Sequence, residues 1–436
     1  MSIVDHILFF AAIVLLMTSI YFSFQTRFVQ IRKLPALLRA IFCRDVANED
    51  IHTVVPKKAL YAAMSTTLGL GTIVSPVIAI KLGGPGALFG YVLTTFFGSA
   101  LTYMEVVSAV TYRKHIASGR IAGGPMPYLE QISRGLAKWY ALLCLTVMAA
   151  WSGAQANQLA SFFASPIIAP MHVSKAVTGA LAGIFVLVFL ILGIKWIARF
   201  SAKLVPLMFI LYVGSCFVII CLNVAKLPMI FSLIVSSFFS PYQLTTGVLI
   251  GGITAALRWG IFKGVHSNEA GLGTQTFPHS MAYTHDPEKQ GILAMASTYS
   301  AGIVALLGGI VALLTDTWQD TSLPLGIPMV SKSFEMYFSW FGVGIVGVCA
   351  LLFALGTILG NSYNGSRCFL YITHQKYERL YYVLSACMVL WGSLASVTTF
   401  WALSDLFVAL MAIPHVMALV WMAKSAKRKL VLTQHL

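Results

Sequence analysis

The phrase GLGT occurs twice in this chain, at 69–72 and at 271–274, and each copy is followed by a proline, Pro76 and Pro278, seven positions after its first glycine. Paired glycines and a nearby proline interrupt helices. Inside an apolar segment, such a break frees backbone N–H and C=O groups that a bound solute or ion can satisfy. Gly69, Gly71 and Thr72 are therefore candidate binding residues, because a half-helix starting near Thr72 would turn N–H groups and a positive dipole end toward a carboxylate. Gly251-Gly252 interrupts a second apolar run and is a candidate of the same kind. Gln155 and Asn157 are amides in the middle of the apolar run 139–164. Two residues apart on a helix they face different ways, so only one can reach a shared solute. Both also have a purely structural use, as hydrogen bonds between helices. Glu105 is the one acid in the run 84–112; it is either functional or structural, pairing with Arg113 or a neighbouring loop. Ser267, Asn268 and Glu269 precede the second GLGT and are expected to order a loop or to belong to an inner gate.

The elements that must hold these residues follow from composition. Of 436 residues 58% are hydrophobic and 10% charged, and the mean hydropathy is +0.83. A soluble domain carries about 25% charged residues, so lipid is the expected solvent and the class is an all-α integral membrane protein. A helix crossing about 30 Å of hydrocarbon needs roughly 20 apolar residues. Eleven such runs are expected: 5–24, 57–81, 84–112, 139–164, 175–194, 200–222, 243–263, 290–315, 338–373, 380–397 and 400–423. The first lacks a basic n-region and is expected to be a retained helix. Segment 28–43, with Arg32, Lys33 and Arg39 among apolar residues, is expected to lie on the membrane surface.

Threading eleven spans with the N-terminus outside leaves only Lys81, Lys175, Lys226 and Lys332 of the 29 Lys and Arg on the outer side. The others, Arg258 and Lys263 included, fall in cytoplasmic segments, as expected for a plasma-membrane protein with a cytoplasmic C-terminus. The formal net charge of +15 thus belongs to topology, and no nucleic-acid partner is expected. Without the first helix, ten spans form two sets of five. Five is odd, so tandem sets must be inverted, an arrangement typical of secondary transporters. The expected divisions are 1–56, an extra N-terminal helix with the surface helix; 57–222, the first repeat; and 223–436, the second repeat with its tail. The first GLGT falls in mid-span. The second is expected at the cytoplasmic mouth, which leaves the shared phrase open to coincidence. The seven Cys include no C-x-x-C pair, so neither a metal site nor a disulfide framework is indicated. No phosphate-binding loop of an ATP-driven pump is present, and the scattered His and acids argue against an enzyme.

Several phrases, in order, carry a resemblance over nearly the whole chain: STTLGLGTI (65–73), IKLGGPGALF (80–89), GGPMPY (123–128), AQAN (154–157), SNEAGLG (267–273), HDPEKQG (285–291), TILGN (357–361) and LMAIP (410–414). The chain resembles the alanine/glycine:cation symporter family. The resemblance implies a leucine-transporter-like fold of five plus five helices preceded by one extra helix. It also implies uptake of a small neutral amino acid, Ala or Gly, the D-form included, driven by a monovalent cation, usually Na+, with no other cofactor; a monomer is expected. By the same resemblance Gln155, rather than Asn157, meets the substrate, and Thr66, Leu70 and Thr357 lie at a cation site. Departures from the family pattern weaken that site. Leu70 and Thr72 stand where a Thr and an Asn are usual, Ala301-Gly302 replaces Asp-Thr, Gly356 replaces a hydroxyl residue, Ser366 a Glu, and His415 an Asn. The alternatives are therefore proton coupling, through Glu105 or His415, and an amino-acid sensor that has lost transport.

Overall fold

The structure is a computed structural model and describes residues 3–42, 53–115, 121–164, 173–243, 249–395 and 397–433. Apolar runs form helices here because every backbone group is then paired within the segment, whatever surrounds it. The helices are α1 (Ile3–Gln25), α2 (Val29–Arg32), α3 (Leu34–Phe42), α4 (Pro56–Thr67), α5 (Leu70–Gly83), α6 (Ala87–Tyr112), α7 (Met126–Leu129), α8 (Arg134–Phe163), α9 (Lys175–Leu192), α10 (Ile194–Leu222) and α11 (Leu227–Phe239). There follow α12 (Gly252–Ala255), a π-helical stretch Ala256–Ile261, α13 (Phe262–Asn268), α14 (Thr276–Ser280), α15 (Pro287–Leu314), α16 (Ile327–Phe338), α17 (Trp340–Ile372), α18 (Glu378–Leu394) and α19 (Val397–Thr433). Two small antiparallel hairpins, Lys114–His115 with Ile121–Ala122 and Pro241–Gln243 with Leu249–Gly251, are the only sheets among the described residues.

Local signals set many boundaries. Ser133, Ser174 and Asp286 cap α8, α9 and α15 by accepting N–H groups of Gly135, Val177 and Lys289. Pro56, Pro287 and Pro328 stand in the first turns of α4, α15 and α16, where their missing N–H does no harm. Gly193, with φ +82°, turns α9 directly into α10.

Eight of the described helices are long and apolar enough to cross a membrane, nine if the bent pair α4–α5 counts as one. α8 packs on α17, α6 on α15, and α9 on α18, so the first set of five interleaves with the second; α1 lies against α6 and α19. The bundle has a basic end, where Arg113 of the loop after α6 donates to the carbonyls of Ser280, Ala282 and Thr284. At the opposite end Lys81 donates to the Asp320 carbonyl.

Two of the eleven expected spans are not among these nine; in the run 380–397 the helix, α18, has only 17 residues. The run 243–263 is not a single helix: its residues 244–248 lie outside the described residues, Leu249–Gly251 is a strand, and helix begins at Gly252 and continues to Asn268. Gly252 takes φ +78°, a conformation that belongs at a helix start rather than inside one. Lys263, expected in a cytoplasmic loop, is consequently a buried residue of α13. Its charge is tolerated because its Nζ lies 2.8 Å from a carboxylate oxygen of Asp405 on α19.

Candidate functional site

The first GLGT forms a sharp break. α4 ends at Thr67, Gly69 is extended (φ −112°, ψ 179°), and α5 starts at Leu70 after a bend of 42°. Thr72 Oγ1 donates to the Thr67 carbonyl (2.7 Å) and accepts the Gly69 N–H (3.4 Å), so it knots the two half-helices together. The Leu70 N–H is donated to Gln155 Oε1 of α8 at 3.0 Å. Thr357 of α17 shares its hydroxyl proton between the carbonyls of Ser65 (3.1 Å) and Leu68 (3.2 Å). A Cβ at Gly69 would sit 2.6 Å from Thr357 Oγ1 and 2.9 Å from Gln155 Nε2. Only glycine allows these three elements to meet.

The second GLGT, expected only as a phrase near the cytoplasmic side, is also a helix break. α13 stops at Asn268, and Glu269, Gly271 and Gly273 then take φ of +54°, +88° and +77°. Helix resumes at Thr276. The freed backbone groups are held from all sides. Glu105 Oε1 accepts the Gly273 N–H (2.8 Å), Tyr140 donates to the Leu272 carbonyl (2.6 Å), His415 Nδ1 lies 2.8 Å from the Gly271 carbonyl, and Asn364 donates to the Thr274 carbonyl (3.1 Å). Gln275 bonds the Asn268 carbonyl, and Thr274 bonds the Glu269 carboxylate. Glu105 and His415 are thus braces of this break, with Tyr128 against the other His415 ring nitrogen. Of the two structural partners expected for Glu105, Arg113 or a neighbouring loop, it takes the second kind, while the Arg113 guanidinium goes to main-chain carbonyls.

The two breaks face each other. Ser267 of α13 and Ser75 of α5 are joined through their hydroxyls at 2.7 Å, and the Tyr91 hydroxyl donates to Ser75. Between the breaks is a cavity of about 20 Å³, bordered by Thr66, Gly69, Gly71, Thr72, Gln155 and Thr357, with Trp151, His266 and Glu269 closing it. That volume holds about one water or a bare ion, so an amino acid enters only if the half-helices separate. The N-terminal end of α5 and the C-terminal end of α13 both point here. One offers partial positive charge and the other partial negative charge, with the Glu269 carboxylate beside the latter.

Other expected residues are elsewhere. Asn157 does not border the cavity; its amide donates to the carbonyls of Gly392, Ser393 and Ala395 and closes the end of α18. Gly251 and Gly252 do not border it either, since the helix that starts at Gly252 meets the cavity only at its far end, at His266 and Glu269. Leu70 contributes its N–H to Gln155 while its side chain enters the apolar core, so it offers no side-chain oxygen to a cation. Asn268 and Ser267 end a helix rather than order a surface loop. Trp151 and His266, whose rings meet at 4.8 Å with a tilt of 50° beside the cavity, were missed by sequence reasoning. Trp151 lies four residues before Gln155, one helical turn, and that spacing was the available signal.

Two broken helices from opposite halves of an interleaved bundle, meeting at a buried polar cavity, define a secondary transporter of the leucine-transporter type rather than an enzyme. The chain belongs to the sodium:alanine symporter family, whose model matches residues 1–433. It is 33% identical over 429 residues to the sodium/alanine symporter AgcS of Methanococcus maripaludis, a match covering 93% of this chain and 90% of that protein. It is 30% identical over 431 residues to the putative sodium/proton-dependent alanine carrier protein YrbD of Bacillus subtilis, covering 93% and 85%. Among solved structures it is similar to MhsT in complex with L-phenylalanine, at a TM-score of 0.58 and 15% identity over 85% of this chain and 89% of that one, a likeness of fold. It is an integral protein of the plasma membrane and an amino-acid-type symporter.

Proposed function

We propose that this protein takes up a small neutral amino acid, alanine or glycine, by symport with Na+. The observation that carries the reading is the pair of opposed helix ends at one cavity. A zwitterion has one group for each: its carboxylate would take the Leu70 N–H now held by Gln155 Oε1, and its ammonium would meet the end of α13 and Glu269. The tight approach of Thr357, Gln155 and Gly69 leaves little depth for a side chain, which favours Ala and Gly over Leu or Phe. For the cation, the carbonyls of Ser65 and Leu68 and the Thr357 hydroxyl form one cluster of oxygens, the kind of donor that a hard ion requires.

A second reading, proton coupling, is favoured by one specific feature: Gly356 brings no side-chain oxygen to that cluster. The experiment is uptake of radiolabelled Ala and Gly into proteoliposomes under an imposed Na+ gradient or an imposed H+ gradient. Accumulation driven by Na+, competed by Ala and Gly but poorly by Phe, is the expected result. Gln155→Ala should lower uptake tenfold or more, whereas Asn157→Ala should act on stability, about 1–3 kcal/mol for a lost buried bond. No gradient-driven accumulation of any small amino acid would sink the transport reading and leave a sensor.

A further inference from the structure

A second cavity is much larger than the one between the breaks. It lies at the basic end, has a volume of about 940 Å³, and is formed where the α9–α10 turn meets the ends of α17 and α18. Its polar wall carries Lys195 and Arg199 from the first turns of α10, Arg367 from α17 and Arg379 from α18, against a single acid, Glu378. Glu378 is already bound by Arg367 at 3.4 Å. Among the described residues, neither Lys195 nor Arg379 has an ion-pair partner. The cavity therefore gathers four cations for one anion. Its floor has further unmet demand: Tyr363 is 3% exposed, its hydroxyl has no partner, and the Arg367 Nε–H, with the guanidinium 4.9 Å over that ring, has none either.

The other wall is apolar. Leu187 and Ile191 of α9, Trp196 of α10 and Val383 of α18 line it. Ile191 and Val383 continue outward into exposed apolar faces, with Leu181, Ile184 and Val188 along α9 and Leu380 and Leu384 along α18. Such faces belong against hydrocarbon chains. A ligand that matches both walls has an anionic head and an acyl tail. A soluble amino acid matches neither, because it is neutral overall and has no use for the apolar strip.

We propose that this cavity is a binding site for an anionic phospholipid of the surrounding leaflet, its phosphate held by Lys195, Arg379 and Arg367 and its acyl chain laid between α9 and α18. The orientation expected from charge puts the site in the cytoplasmic leaflet, where anionic lipids attract basic groups. Arg367 and Thr357 are on the same helix, ten residues apart, so an occupied site would brace the helix that carries the candidate cation cluster.

The test uses the purified full-length protein in neutral detergent, with short-chain phosphatidylglycerol, phosphatidylcholine of the same chain length, and glycerol phosphate as probes. Binding is read by native mass spectrometry and by thermal melting. Phosphatidylglycerol should bind and raise the melting temperature, while the other two do not. Lys195→Gln with Arg379→Gln should weaken that binding about thirtyfold, a factor of about five for each basic group removed near a membrane surface. Lys195→Arg with Arg379→Lys, which keeps both charges, should retain it and guards against misfolding. Equal binding of phosphatidylcholine, equal binding of glycerol phosphate, or an unchanged affinity in the Gln pair would each overturn the proposal. So would a Gln pair that leaves lipid binding intact but raises the KM for alanine, since the cavity would then be part of the substrate's route.

Discussion

At the scale of single residues, the site is governed by which atoms can supply oxygen. Thr357 Oγ1 sits 3.1–3.2 Å from two main-chain carbonyls, and an ion placed among them finds three donors before any water is counted. A Cβ at Gly356 would lie 3.6 Å from the Ser65 carbonyl oxygen and 3.2 Å from Leu204 Cδ2, the far end of a flexible side chain. A serine there fits and brings a hydroxyl to the same cluster. Gly356→Ser is therefore expected to lower the Na+ concentration for half-maximal uptake severalfold, and Thr357→Ala to raise it. Initial rates against Na+, at fixed pH and membrane potential, make the check; a Thr357→Ala protein with an unchanged Na+ curve would remove the cluster from the coupling mechanism.

At the scale of elements, the broken helices work because their neighbours come within backbone distance. Gly260, in the π-helical stretch, crosses α6 so closely that a Cβ would run into the Ala87 carbonyl, and a Cβ at Gly90 would lie 2.7 Å from Gly260 backbone atoms. Backbone cannot give way as a side chain does, so Gly260→Ala is expected to destabilise by about 1–3 kcal/mol, the usual effect of overpacking. Gly214, in the exposed middle of α10, has nothing within 4 Å of its Cβ position. There Gly214→Ala should be neutral or stabilising by up to about 1 kcal/mol, because alanine is the better helix former. Thermal melting of the two variants in detergent compares them directly; similar melting points would mean that the crossing at Gly260 is looser than described.

At the scale of the whole molecule, charge decides orientation. Arg113, Lys195, Arg367 and Arg379 gather at one end, and Lys81 lies at the other. Moving Arg258 and Lys263 from a loop into a buried helix leaves this imbalance large, so a reporter fused after Leu436 is expected in the cytoplasm and one inserted within 320–333 outside. Both reporters on one side would mean that the number of crossings between them is even. The buried Lys263–Asp405 pair, with His266 Nδ1 3.5 Å from the same carboxylate, ties α13 to α19 beside the cavity, and no sequence motif announced it.

The sequence by itself determined the solvent, the class and the family, because apolar runs with few charges have only lipid to dissolve in and because its motifs recur in order. It also favoured the first break: Gly69 and Gly71 in mid-span read as a helix break more readily than as a close helix contact. Helix spacing separated Gln155 from Asn157 only as far as saying that they face different ways, and it was the family resemblance that favoured Gln155; which one faces the cavity depends physically on how α8 is rotated against its neighbours. Tertiary structure alone decided that the second GLGT belongs to a helix break whose first residue, Glu269, borders the same cavity as the first GLGT. That break is made by Glu269, Gly271 and Gly273 in left-handed conformations, held by Glu105, Tyr140, Asn364 and His415 from four other helices. Hydropathy could not reveal this, since it registers how apolar a segment is, not which distant side chains stand ready to satisfy its freed backbone.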